Sequence, residues 1–206
     1  MSEIWIEHIS VELWQSPNRW ATYFSQAQEL IGAKLTHFDT ADPIRRKVTT
    51  LSEAGEYACA SKPKHDSRWL FGQFANTGVS FSARHMRQIE TRKWYNEFIW
   101  HLPMSFISSE TDRLRLLGLF EAGNVAFRPF YSFADESGAI MAKPGQKSAG
   151  RMPNIERELL GIYWLTYFNS RYVEFLARPI FKICHLLHLM TAAALPSRLA
   201  NVQARR

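Results

Sequence analysis

Residues 67 to 85 read SRWLFGQF, ANTG and VSFSARH: two β-prone runs joined by a connection so short that the chain must reverse across it. Asn and Gly supply the backbone conformations that close such turns, so the two runs are expected to pair as an antiparallel hairpin. Residues 93 to 102, KWYNEFIWHL, alternate Trp94, Asn96, Phe98 and Trp100 against Tyr95, Glu97 and Ile99, and Pro103 ends the run as a strand. The middle of the chain thus reads as a sheet whose strands follow one another in sequence, without the helical crossovers that parallel pairing demands.

Helical signals flank that sheet. Ser16-Pro17 is a cap followed by a proline in the first turn, and Trp20, Phe24, Ala27 and Ile31 recur at helical spacing until Gly32 supplies the stop. Ahead of it, residues 3 to 13 separate Ile4, Ile6 and His8 from Trp5, Glu7 and Ile9, as an extended segment does. A short helix is expected from about Pro43 to Ala54, after the Asp42-Pro43 turn. Ser108 or Ser109 caps a further helix with Glu110 and Asp112 in its first turn, where the dipole favours negative charge. Leu114, Leu117, Glu121 and Val125 mark one line along it, Leu116 and Phe120 lie beside that line, and Pro129 closes it. Residues 130 to 134 read as a strand and 142 to 153, rich in Gly, Pro, Ser and Lys, as a mobile loop. Residues 160 to 168 read as a central strand, followed by a turn at Asn169 and a helix from about Arg171. This order predicts an α+β fold: one domain over residues 1–196, with an antiparallel or mixed sheet, two to four packed helices and an apolar C-terminal helix at 180–195. A basic mobile tail at 197–206 completes the chain.

A chain of 206 residues buries enough apolar surface to fold without a staple. Cys59 and Cys184 have no CxxC spacing and no cluster of partners, which argues against a disulfide framework or a four-ligand zinc site and suits a reducing cytoplasm. The opening MSEIWIEHIS lacks the basic and apolar regions of a secretory signal. Residues 180 to 195 are only 16 long and carry Lys182, His185 and His188, short of the roughly 20 apolar residues a membrane span needs. The net charge of +6 is mostly a property of the tail: five of the 25 Lys and Arg follow Phe175 with no acid among them, leaving 20 basic against 19 acidic residues. A fold dedicated to nucleic acid carries its charge footprint within the fold, so no dedicated nucleic-acid site is expected.

The spacing of the candidate residues argues against the common enzymatic constellations. A metal-dependent nuclease needs carboxylates and a lysine converging on one strand edge, and Glu90 with Lys93 at a turn-like site does not provide that. Cys184 and His185 are adjacent and diverge on a helix, whereas a nucleophile and its base must meet. His185 and His188 share a polar stripe with Lys182 and Thr191, the solvent edge of a mostly apolar helix. No catalytic residue, cofactor or metal is expected. The residues best suited to recognition are Arg84, His85 and Arg87 beside Trp94 and Tyr95, since Arg, Trp and Tyr anchor protein interfaces. The same mixture of bases and aromatics suits phosphate and base stacking, so an accessory protein binding nucleic acid through residues 84–95 and the C-terminal tail is the alternative. Trp69, Trp100 and Trp164, all in strand-like runs, are expected in the core.

Residues 158 to 176 read ELLGIYWLTYFNSRYVEFL. The run Tyr163-Trp164-Leu165-Thr166-Tyr167-Phe168, a break at Asn169, Ser170 and Arg171, and then Tyr172-Val173-Glu174-Phe175 resembles the signature of the Immunity protein 52 family of bacterial polymorphic toxin systems. Trp69-Leu70-Phe71-Gly72 and Phe127-Arg128-Pro129 resemble it more weakly. The resemblance implies an α+β cytoplasmic protein without enzymatic activity. Its partner would be a cognate nuclease toxin of a restriction-endonuclease-like class, met in type VI secretion and related interbacterial competition. The ten signature residues are expected to be structural.

Overall fold

A computed structural model describes residues 3–12, 14–60, 67–86, 95–142, 163–170 and 172–174. Its strands are β1 (Glu3–Ser10), β2 (Leu35–Asp39), β3 (Ser67–Phe74), β4 (Ser80–Met86), β5 (Asn96–Pro103), β6 (Tyr131–Glu136) and β7 (Leu165–Phe168). Its helices are α1 (Pro17–Ile31), α2 (Leu51–Ala60), α3 (Glu110–Phe127) and α4 (Ser137–Ala142), with a 3-10 turn at Met104–Ile107. The strands form a seven-stranded sheet in the order β2-β3-β4-β5-β1-β6-β7, and every pairing is antiparallel. The fold is α+β. Backbone contacts divide the chain into two compact units, Met1–Phe168 and Asn169–Arg206.

Local chemistry sets the element ends. The Ser16 side chain accepts from the Arg19 amide, Pro17 occupies the first turn, and Gly32 closes α1 at φ 74 in the left-handed region. Ser109, not Ser108, caps α3 by accepting from the Asp112 amide. The helix expected from Pro43 starts instead at Leu51, because Thr50 accepts from the Glu53 amide and caps it there. Upstream, the Asp39 carboxylate accepts from the amides of Thr40, Arg45 and Arg46 and holds residues 40–46 in a loop. These bonds pull the Asp39 carboxyl below its ordinary range, outweighing the partial desolvation that acts against them.

The sheet's pleat gives it two faces. Ile4, Ile6 and His8 of β1 face the helices together with Phe98, Trp100 and Leu102 of β5, Phe81 and Ala83 of β4, and Leu70 and Phe74 of β3. The core is aromatic, and its hub is Phe127 at the end of α3. Its ring lies 4.5 Å from Trp14, 4.6 Å from Tyr23 and 4.7 Å from Phe98. Each buried indole N–H is satisfied: Trp14 donates to the Phe127 carbonyl, Trp20 to the Trp14 carbonyl, and Trp100 to the Tyr23 hydroxyl at 2.6 Å.

Three expectations change. β7 lies at the end of the described sheet, paired with β6 alone, so it is not central. Trp100 is buried, but Trp69 is 41% exposed and Trp164 55% exposed. Trp164 precedes β7 in a bend, where the Thr166 hydroxyl accepts from the Tyr163 amide and turns the Tyr163 ring onto Phe133 at 4.3 Å. On α3 the core takes Leu116, Leu119, Phe120, Gly123 and Phe127, leaving Leu114, Leu117 and Val125 exposed on the neighbouring line.

Within the second unit, Asn169 caps the turn that follows it: its side chain accepts from the Tyr172 amide, and its carbonyl accepts from the Val173 amide. The helix expected at 180–195, the tail at 197–206, the loop at 143–153, Phe175 and the single domain's boundary at 196 lie outside the described residues. No helix among the described residues is long and apolar enough to cross a membrane.

Candidate functional site

Two strands bring the site's central charges together on the face turned away from α1 and α3. Glu7 on β1 pairs in register with Ile99, and Glu97 on β5 pairs with Ile9, so the two carboxylates are diagonal neighbours across the β1–β5 ladder. On the other side of Glu97, Arg84 of β4 is its direct cross-strand partner and closes an ion pair at 3.0 Å. Tyr95 lies just before β5, buried, its ring 5.5 Å from the Arg84 guanidinium and its hydroxyl hydrogen-bonded to it. The guanidinium also lies 5.8 Å from the Trp69 ring, and Trp69 stacks on Phe71 at 6.2 Å and 16°.

This cluster holds two carboxylates for one guanidinium. Burial lifts the Glu7 carboxyl well above the ordinary range, the Glu97 charge lifts it further, and Arg84 offsets only part of that. Burial also raises Glu97, against the pull of Arg84. Tyr95 is pushed up by burial and then by the two carboxylates, so its phenol stays neutral. Burial and the neighbouring Glu97 thus favour the neutral, hydrogen-bond-donating form of Glu7, while Glu97 pairs with Arg84.

Beside the cluster, on the same face, an open cleft of about 420 Å³ is lined by Glu3, Asp42, Ile44, Phe71, Ser80, Phe81, Ser82 and His101. Three of its side chains form a relay across three strands. Ser82 Oγ of β4 is 3.1 Å from His101 Nε2 of β5, and His101 Nδ1 is 3.4 Å from Glu3 Oε1 of β1. Trp5 steadies the far end, its Nε1–H donating to the same Glu3 oxygen at 2.5 Å while its ring meets His101 edge-on at 5.7 Å.

A third polar group, on the helix side, is structural. His8 Nδ1 lies 2.9 Å from Ser132 Oγ and 3.2 Å from Asn124 Oδ1, and Ser132 donates to Asn124 at 2.7 Å. With the Ser132 proton committed to Asn124, His8 Nδ1–H is the donor. Burial lowers its pKa to about 3, which keeps the ring neutral. Both contacts use one ring nitrogen, Nε2 packs towards Gly123, and the residue has no exposure to solvent, so the trio pins β1 and β6 to α3.

Of the sequence-predicted recognition residues, Arg84, His85 and Tyr95 are described. Arg84 and His85 are successive residues of β4 and point to opposite faces. Arg84 belongs to the carboxylate cluster, whereas His85 turns to the helix side, where its ring bonds the Ala58 backbone and burial, then the Arg68 charge, lower its pKa to about 4. Tyr95 is buried, and Arg87 and Trp94 lie outside the described residues. Among the described strands, the face carrying Arg84 also carries Glu3, Glu7, Glu97 and Asp135, an acidic surround unsuited to phosphate. Of the signature, Tyr163 and Tyr172 are buried, Leu165, Thr166, Tyr167 and Phe168 are half-buried, and Trp164, Val173 and Glu174 are exposed.

Spacing could not reveal the relay, because its members are 19 and 98 residues apart in sequence. The available signal was parity: Ser80, Ser82 and Arg84 alternate with the apolar Phe81 and Ala83, as Glu97 and His101 do with Phe98, Trp100 and Leu102.

No protein-family model matches the chain, and no curated protein matches it. Among solved structures, a Pseudomonas aeruginosa T6SS protein is similar over 66% of this chain and 40% of its own, at 12% identity and a TM-score of 0.49. The chain thus spans less than half the length of that protein, and a likeness this slight leaves function to be argued from the residues themselves.

Proposed function

We propose that this protein is an immunity protein that neutralises a nuclease toxin of interbacterial competition by stoichiometric binding in the cytoplasm, without cofactor or turnover of nucleic acid. The resemblance of Tyr163 to Phe175 to the Immunity protein 52 signature supports the class of partner. The observation that carries the binding role is Trp69, 41% exposed on the sheet face opposite α1 and α3, stacked on Phe71 and lying over an Arg84 that Glu97 holds in place. A Trp and an Arg fixed before association lose little conformational entropy on binding, which is the property of interface anchors.

Two measurements test this. The protein should co-purify with the product of the neighbouring gene, suppress its nuclease activity in a one-to-one ratio, and cleave neither DNA nor RNA itself with magnesium or manganese present. Metal-dependent cleavage by the purified protein, or failure to bind that product, counts against the proposal. Trp69→Ala should leave the unfolding midpoint nearly unchanged and weaken toxin binding by about 2 kcal/mol, roughly 30-fold. Titration calorimetry with wild-type affinity for the variant would move the interface off this face.

A further inference from the structure

The Ser82–His101–Glu3 relay does more than a solvated polar face requires. A hydroxyl, an imidazole and a carboxylate meet through the two different ring nitrogens of His101, at 3.1 Å and 3.4 Å, and that connectivity lets a histidine take a proton from a nucleophile while a carboxylate holds its other side. His8, by contrast, uses one nitrogen for both contacts and is sealed in the core. The relay opens into the cleft of about 420 Å³, and His101 is 25% exposed. Ile44 and Phe71 give the cleft an apolar wall beside the nucleophile.

We propose that Ser82 is a histidine-activated nucleophile that accepts the acyl group of small activated carboxylic esters whose acyl chain rests on Ile44 and Phe71. Ser82 Oγ forms the new bond to the ester carbonyl carbon, the C=O π pair moves to the carbonyl oxygen, and the Oγ proton passes to His101 Nε2. Glu3, a positioning residue, holds Nδ1–H and the imidazolium charge. The oxygen's pair then returns, the bond to the leaving group breaks, and His101 gives its proton to the departing alkoxide, leaving an alcohol and an O-acyl Ser82. Water then attacks the acyl carbon and gives a proton to His101 Nε2, and His101 returns it to Ser82 Oγ as the Oγ–acyl bond breaks and the carboxylic acid leaves.

The fold also sets the pace. β4 is paired on both sides, so its amides are committed to the ladders and cannot cradle an oxyanion. The Ser80 hydroxyl, two residues along on the same face, is the donor lining the cleft. A single hydroxyl suffices for an ester with a good leaving group but helps little with the alkyl ester of Ser82. The expected behaviour is therefore a stoichiometric burst followed by slow release.

The test uses the full chain and p-nitrophenyl acetate. Wild type should release a burst of p-nitrophenolate approaching one equivalent, and peptide mapping should place one acetyl group on Ser82. Ser82→Ala should abolish the burst. His101→Gln should slow acetylation of Ser82 about 100-fold. Glu3→Gln should slow it about tenfold, with an unchanged unfolding midpoint. An unacetylated Ser82 in the wild type, acetyl groups confined to lysines, or a Ser82 rate unaffected by His101→Gln would each overturn the assignment. The wild-type map decides even where a variant fails to fold. Because toxin binding plays no part in this readout, its outcome is separate from that of the proposed function.

Discussion

Replacing Phe127 with alanine is expected to destabilise the protein by about 3 to 5 kcal/mol in urea unfolding, with the slope of the transition unchanged. The ring is fully buried where α3 ends, in contact with the rings of Trp14 before α1, Tyr23 within it and Phe98 on β5. Removing it leaves a cavity walled by rings that cannot collapse, since Tyr23 is tied to Trp100 and Trp14 is tied to the Phe127 carbonyl. Trp164→Ala gives the contrasting result, a change within about 0.5 kcal/mol, because a bend holds that indole 55% exposed. Equal losses for the two variants would mean that the aromatic hub does not organise the core.

What the sequence made legible was local. The hairpin of β3 and β4, the capped ends of α1 and the alternation of β5 each depend on neighbours a few residues away, and each is found where those neighbours put it. The start of α2 is also local, but two signals compete for it: Thr50 and Glu53 have the capping-box spacing, and Pro43 is the stronger-looking start signal. Strand order is a different kind of information. Nothing in residues 160 to 168 distinguishes an edge from a centre, because that depends on which strands pair, and β7 pairs with β6 alone. Trp69 and Leu70 are both apolar, so alternation could not choose which faces the helices, and the choice falls to the register with Ala83 and Arg84. The interface predicted from Arg84, His85, Arg87, Trp94 and Tyr95 runs along the chain, and of its described members the pleat sends Arg84 and His85 to opposite faces and joins Arg84 to Glu97 and Trp69 from other strands.

The carboxylate cluster predicts a stability that depends on pH with opposite signs in two variants. Glu7 has a folded-state pKa well above its ordinary value. Its contribution is therefore fully present below the unfolded-state pKa and is lost as pH rises towards and through the folded one. Across that window each pH unit removes up to about 1.4 kcal/mol. Glu7→Gln keeps the neutral side chain, so relative to wild type it should gain stability as pH rises above the ordinary carboxylate range. Arg84→Met does the reverse. It leaves Glu7 and Glu97 together without the guanidinium, and with both ion-pair side chains below one-fifth exposed the loss should be on the order of 3 kcal/mol at neutral pH. That loss should shrink on acidification as the carboxyls take up protons, and Glu7→Gln added to Arg84→Met should recover part of it, because position 7 can then carry no charge beside Glu97. Urea unfolding of the four proteins at three pH values separates the terms. Parallel pH profiles for wild type and Glu7→Gln would show that folding does not raise the Glu7 pKa, and the strained carboxyl at the centre of this face would have to be abandoned.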